Sequence, residues 1–229
     1  MTLVVVTGVG TEIGKTHVAS ALVSAWGRRE SVLGYKPVES GVALGAGADE
    51  AALALHSTFH VKHPLLQVRL QAAVSPHLAA RLEGRTIPLA SVVAAVASLR
   101  EETHVVLELP GGLFSPLSDT ETNADLVHQV APDVTLVVVP NRLGVLHDAR
   151  ALVEACLGRG LPLDGLVLSA SARPDASSAT NPAELSLTSG LPLLADLPRA
   201  PVDELVRSGA LDGLVAYCRG RAAQAPSFK

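Results

Sequence analysis

The stretch VVVTGVGTEIGKTHVASALV, residues 4–23, decides how the rest of the chain is read. A β-branched apolar run stops at Thr7. A turn with Gly8, Gly10 and Gly14 follows, and Lys15-Thr16 open an Ala/Val-rich helical pattern. A strand, a glycine loop, a lysine and a helix in this order form a phosphate-binding unit. Gly8 and Gly10 allow a tight turn, and Gly14 lets the backbone approach a phosphate without a Cβ clash. The amides of residues 12–16 then point at the β-phosphate at the positive end of the helix dipole. Lys15 reaches the β- and γ-oxygens, and the Thr16 hydroxyl is placed to ligate Mg²⁺.

Spacing narrows the class. Five residues separate Gly8 from Gly14, one more than the usual loop has. Partition-type ATPases carry a second lysine five residues before the loop lysine, and Gly10 stands there. A GTPase needs Asn-Lys-x-Asp to read guanine. The nearest string is Asn141-Arg142-Leu143-Gly144, which lacks the terminal carboxylate.

Composition sets further bounds. The 229 residues suit one α/β domain over residues 1–221, with a flexible tail over 222–229. Hydrophobic residues make up 48% and aromatics only 3%, so the core must be built from Ala, Val and Leu. A net charge of −4 gives no basic footprint for nucleic acid. No apolar run approaches the roughly 18 residues of a membrane helix. Met1-Thr2 lead straight into an apolar run without a leader pattern. A cytoplasmic protein is expected. Cys156 and Cys218 read as buried thiols, with a pairing left open.

Short apolar runs alternate with Ala/Leu-rich segments. Strands are expected at Leu3–Val6, Val32–Tyr35, His104–Glu108, Val134–Val139, Gly165–Leu168 and Leu193–Leu194. Helices are expected at Lys15–Trp26, Pro76–Leu82 (capped by Ser75), Leu89–Arg100, Ala124–Val130 (capped by Asn123), Val145–Leu157 and, as a broken pair, Leu205–Arg219. The strands lack polar alternation, as strands covered on both faces do. The expected fold is therefore a P-loop NTPase-like, mostly parallel sheet with helices on both faces. Gly41–Ala48 and Ser171–Pro182 read as loops. His60 and His63 read as surface, and His77 as core or surface.

Two further stretches carry chemistry. GYKPVESG, residues 34–41, sets Lys36 at a strand end, where an ammonium can stabilise charge on a transferring phosphoryl group. HVVLELPGGLFSPLSD, residues 104–119, ends an apolar strand in Glu108, a carboxylate placed for Mg²⁺. An unpaired carboxylate is costly to bury, which favours a functional role. Asp49 reads either as another metal ligand or as the N-cap of a helix at Glu50–Leu55, and one role does not exclude the other.

Together TGVGTEIGKT, GYKPVESG, AVSPHLAARLEGRTI, LELPGGLFSPLSD and NADLV resemble dethiobiotin synthetases in order and spacing, over about residues 3–200. The resemblance implies closure of a cyclic urea from 7,8-diaminopelargonate, CO₂ or bicarbonate, and MgATP. It implies that Lys15 binds the ATP phosphates, Lys36 bridges carbamate and γ-phosphate, and Thr11 and Ser40 bond the carbamate or substrate. Glu12 would lie on the substrate side of the loop. Thr16, Asp49 and Glu108 would hold Mg²⁺, and Gly111-Gly112 would line the substrate region. Ile13, Gly14 and His17 would join the nucleotide contacts, with Ser169, Leu197, Pro198 and Arg199 at the base. The family is homodimeric, and Leu143–His147, with Gly144, Val145 and His147, would cap the substrate carboxylate of the partner.

The chain departs from the family pattern at three places. Leu109-Pro110 precede the glycine pair, so one amide donor is lost. His147-Asp148 replace the usual end of the dimer loop. Ser169-Ala170 stand where the family usually has Asn-Asp, so the paired donor and acceptor of an amide are missing. The expected consequence is loose base selectivity, with other nucleoside triphosphates accepted. The alternatives are a partition-type ATPase and an amidating ligase of the cobyrinate type.

Overall fold

The computed structural model describes residues 1–42, 48–61 and 64–222. Six strands form one fully parallel sheet in the order β2-β5-β1-β6-β7-β8. They are β1 (Leu3–Gly8), β2 (Val32–Tyr35), β5 (His104–Glu108), β6 (Val134–Asn141), β7 (Gly165–Ala170) and β8 (Leu193–Leu197). Two short strands, β3 (Val38–Ser40) and β4 (Val68–Leu70), pair separately, also in parallel.

The helices are α1 (Lys15–Gly27), α2 (Ala48–His56), α3 (Pro76–Leu82), α4 (Leu89–Glu102), α5 (Asn123–Val130), α6 (Val145–Gly158), α7 (Asn181–Thr188), α8 (Val202–Arg207) and α9 (Asp212–Ala222). Strand alternation divides them into two layers. Leu3 and Val5 point into a core with Val92 and Val96 of α4, Leu126 of α5 and Ala149 of α6. Val4 and Val6 point the other way, onto Val18, Leu22 and Trp26 of α1 and Leu214 of α9. Both cysteines are buried and free. Cys156 lies in the first layer and Cys218 in the second, so the sheet separates them.

Several expectations are corrected. The cap of α5 is Thr122, not Asn123. Thr122 and Asp125 form a capping box, and Asn123 is the first helical residue. Ser75 holds the N-cap position of α3 as expected, with Pro76 at the first turn, but its hydroxyl meets the ring of His77 instead of bonding an amide of the helix. Asp49 sits inside the first turn of α2. The loop expected at Ser171–Pro182 ends earlier, because Asn181-Pro182 already open α7. The C-terminal pair breaks at Gly209, whose φ is 77°. His60 is exposed and His77 half-buried; His63, most of the Gly41–Ala48 loop and nearly all of the expected tail lie outside the described residues.

Gly34 lets α2 sit directly on β2. A Cβ there would lie 3.0 Å from Leu53 Cβ and 3.2 Å from Val23 Cγ2. At the amino end of β5 His104 Nδ1 accepts the Thr2 amide (3.0 Å), and its ring lies 4.8 Å from that of Trp26. Burial holds the His104 pKa below the ordinary histidine value; Arg219 and the chain N-terminus act in the same direction, against Glu30 and Asp133.

Two tests follow from this packing. Gly34→Ala should lower the unfolding free energy by about 1–3 kcal/mol, the usual effect of overpacking, as read from urea titration. A histidine whose folded pKa is depressed takes up its proton more readily when unfolded. Its contribution is therefore complete above about pH 6.5 and declines as pH falls through that value. Stability should drop between pH 7 and pH 5.5, and less steeply in His104→Gln. His17, which burial shifts in the same direction, contributes to the residual slope.

Candidate active site

The phosphate loop joins β1 to α1 at the carboxyl edge of the sheet, where open α/β sheets bind ligands. Gly14 has φ 91°, and a Cβ on it would meet the Ser169 hydroxyl. Glu12 also holds a positive φ, 57°, which is uncommon away from glycine. No side chain caps α1, so its first amides face outward as anion donors. Lys15 is 6% exposed and its ammonium bonds the Gly10 carbonyl at 2.6 Å. Burial brings its pKa down to about 8, with Lys36 acting in the same direction and Glu108 and Asp49 opposing.

Strand order assembles the charges. Tyr35 of β2 pairs with Leu107 of β5, and Val6 of β1 pairs with Glu108. Lys36 and Glu108 are therefore the next residues beyond a shared ladder. Lys36 Nζ meets Glu108 Oε1 at 2.8 Å and also bonds Asp49. Thr16 Oγ1 donates to the same Glu108 oxygen at 2.8 Å, which ties the loop to the pair. Lys36 is 6% exposed and Glu108 0%. Burial draws the Lys36 pKa down, but the two carboxylates outweigh it and hold it above the ordinary lysine value. Burial pushes Glu108 up, against Lys36 and Thr16.

The donor set fits a divalent cation bound together with a polyphosphate. Glu108 Oε2 is buried without a partner, so the carboxylate has an oxygen to offer. Thr16 and Asp49 add a hydroxyl and a second carboxylate around it. Among the described residues no group of three or more acidic, histidine or cysteine side chains is assembled. Remaining ligands would thus be phosphate oxygens and water, as Mg²⁺ prefers.

Beside the loop lies an open cavity of about 640 Å³. Of the residues expected at the nucleotide, Glu12, Ile13, Gly14, His17, Ser169, Pro198 and Arg199 line it. Leu197 does not, being buried in the core. Pro140, Ser171 and Ala172 were not read from the sequence, because no short-range pattern links them to residues 12–17. Thr11 is exposed on the loop. Gly112 packs against Gly8 and Gly10, while Gly111 shapes the turn with φ 63°. The Ser40 hydroxyl is engaged with the Val74 carbonyl at 2.7 Å. Gly144, Val145 and His147, at the start of α6, are not among the residues lining the cavity; Val145 is core, and His147 lines a separate groove with Arg150 and Thr188. Glu39 was also missed. It accepts the Asp49 amide at 3.1 Å and so fixes where α2 begins.

Comparison with known proteins agrees with this geometry. A family model described as AAA domain matches residues 2–204. The chain is 38% identical over 217 residues to the ATP-dependent dethiobiotin synthetase BioD of Anaeromyxobacter dehalogenans, covering 92% of this chain and 96% of that protein. It is 38% identical over 203 residues to the enzyme of the same name from Ralstonia nicotianae, covering 86% and 88%. Among solved structures it resembles the MinC:MinD cell division protein complex of Aquifex aeolicus, with TM-score 0.58, 13% identity and coverage of 100% and 99%. That likeness concerns the fold, a P-loop NTPase-like parallel sheet. With its glycine loop, its paired lysines and relatives matched over nearly their whole length, the chain belongs to the ATP-dependent dethiobiotin synthetase family.

Proposed function

We propose that the chain closes the cyclic urea of dethiobiotin from 7,8-diaminopelargonate, CO₂ and MgATP, releasing ADP and phosphate, as a single α/β domain in a cytoplasmic homodimer. One observation carries this reading. Lys36 is buried at the carboxyl edge of the sheet and linked through Glu108 Oε1 to Thr16 of the phosphate loop. A fixed cation beside the phosphate loop suits a reaction in which two anions must meet.

The chemistry needs that cation at each stage. One substrate amine adds to CO₂ and loses a proton, giving a carbamate. A carbamate oxygen attacks the γ-phosphorus and ADP leaves. The second amine attacks the carbamoyl carbon, and phosphate departs as the ring closes. Lys36 holds carbamate and γ-phosphate together against their repulsion and stabilises charge that develops between them. Lys15 exchanges the Gly10 carbonyl for phosphate oxygens. Thr11, Glu12, Ser40 and the Gly111-Gly112 turn border the substrate, and Ser40 must release Val74 to reach it. Thr16, Asp49 and Glu108 would hold Mg²⁺, which when bound supplies charge neutralisation on the phosphates. Gly144, Val145 and His147, which do not line the cavity of their own chain, would meet the substrate only across the dimer.

The base site is lined by Ser169, Ser171, His17 and Arg199, with no side-chain amide among the described residues. Without a paired donor and acceptor, base discrimination should be loose. Other nucleoside triphosphates would then serve beside ATP.

Four measurements test this function. Lys36→Gln should lower turnover by about 10²-fold or more in an assay with diaminopelargonate, bicarbonate and ATP; a near-wild-type rate would remove Lys36 from the chemistry. Glu108→Gln should raise the Mg²⁺ concentration needed for half-maximal rate while the protein stays folded by circular dichroism. Unfolding instead would make Glu108 a structural carboxylate. Turnover with CTP and with ATP should agree within about an order of magnitude if the amide-free pocket selects weakly, and strict ATP dependence would reject that part. ATP turnover at full rate without the diamine would overturn the ligase reading altogether.

A further inference from the structure

We infer that Asn123 is a positioning residue for the phosphate loop, holding the Pro110–Leu113 turn against Gly8–Gly10 through its side-chain amide. The inference rests on the reading of residues 8–16 as a polyphosphate site.

Asn123 opens α5 but does nothing to cap it, since Thr122 and Asp125 perform that task between themselves. Its side chain is free for another use and is 0% exposed. Nδ2 donates to the Pro110 carbonyl at 2.5 Å and to the Gly112 carbonyl at 2.8 Å. Its backbone amide donates to Ser115 O at 3.0 Å. Oδ1 is buried with no partner. Turning the amide over would set that oxygen against two carbonyl oxygens, so the orientation is fixed by chemistry. A buried acceptor left unpaired opposes folding. The amide is retained here for its two donors in spite of that cost.

What those donors hold is the turn that touches the loop. Gly112 N donates to Ser115 Oγ at 2.9 Å, which closes the turn from its other side. Leu109 N bonds Val6 O at 3.0 Å and Leu113 N bonds Gly8 O at 3.1 Å, so both ends of the turn are fastened to the strand and loop that begin the phosphate site. Between them Gly112 lies flat on the loop. A Cβ at Gly112 would come within 3.3 Å of Gly10 N and Gly8 O. Gly10 O in turn is the acceptor of Lys15 Nζ. The series from Asn123 through Gly112 and Gly10 to Lys15 is one of successive close approaches, with no room for a side chain at Gly112. Removing the donors leaves the Pro110 carbonyl buried and unpaired and the Gly112 carbonyl with the Ser115 amide alone, and the turn can recover a partner for Pro110 only by moving. A shift of the turn changes the contact of Gly112 with Gly8 and Gly10, and a misplacement of about 1 Å in a binding loop is costly to rate.

The test uses inorganic tripolyphosphate as the probe, because it reads the phosphate loop without the base pocket. Asn123→Asp keeps the volume and removes both donors. Folded at 25 °C by circular dichroism, it should bind tripolyphosphate at least tenfold more weakly by calorimetry and lose at least tenfold in kcat. Asn123→Ser, which retains one donor, should fall between it and the wild type. His104→Gln serves as a control that is perturbed at the amino end of β5, and it should bind tripolyphosphate like the wild type. Binding within twofold of wild type in folded Asn123→Asp or Asn123→Ser overturns the inference, as does an equal loss in His104→Gln. If Asn123→Asp does not fold, Asn123→Ser decides by the same two outcomes. Failure of the wild type itself to bind tripolyphosphate would instead reject the phosphate-loop reading, and this inference with it.

Discussion

A carboxylate cannot be buried alone, and the site is organised around that constraint. Glu108 has no exposed surface, and its charge must be met inside the protein. Lys36 and Thr16 meet it at one oxygen, and Asp49 shares the lysine. The four groups come from four separate segments of the chain. Each is held by an element that the others help to place: Lys36 follows β2, Glu108 ends β5, Thr16 opens α1 and Asp49 lies in the first turn of α2. A charge cluster of this kind specifies one arrangement of those elements, because any slip leaves an ion unpaired.

Around this cluster the backbone is held as tightly as the side chains. The turn after β5 bonds β1 and the phosphate loop, and Asn123 closes it from α5. On the other side of the loop Ser169 stands against Gly14. The loop is thus confined between the ends of β5 and β7, with the open cavity on the β7 side and the ion pairs on the β5 side. The loop itself thus separates the open cavity from the buried ion pairs.

Much of the fold was legible in the sequence. A strand buried on both faces needs an unbroken apolar run, and β1, β2, β5, β6 and β7 supply one, whereas β8, interrupted by the exposed Asp196, was legible only at Leu193-Leu194. The strands β3 and β4 were not legible, because three residues carry too little pattern to separate from a loop. Asn123 was misread for a related reason. Asn before an apolar run is a common cap, and only the neighbouring Thr122 and Asp125, acting as a pair, displace it from that role. Ser40 was read from its place in a motif, yet its hydroxyl is engaged with a carbonyl from a segment 34 residues away.

By itself the sequence determined the parallel α/β class, the phosphate loop, the two lysines and the carboxylate that ends β5, because these depend on local spacing and on residue chemistry. Only the tertiary structure decided that Lys36 and Glu108 share a ladder end, that Glu39 starts α2 and that Asn123 serves the turn after β5. Those facts depend on strand order and on which buried carbonyls lack a donor. Neither is written in any short stretch of residues, since both arise when segments distant in the chain are packed side by side and every buried polar group must find a partner.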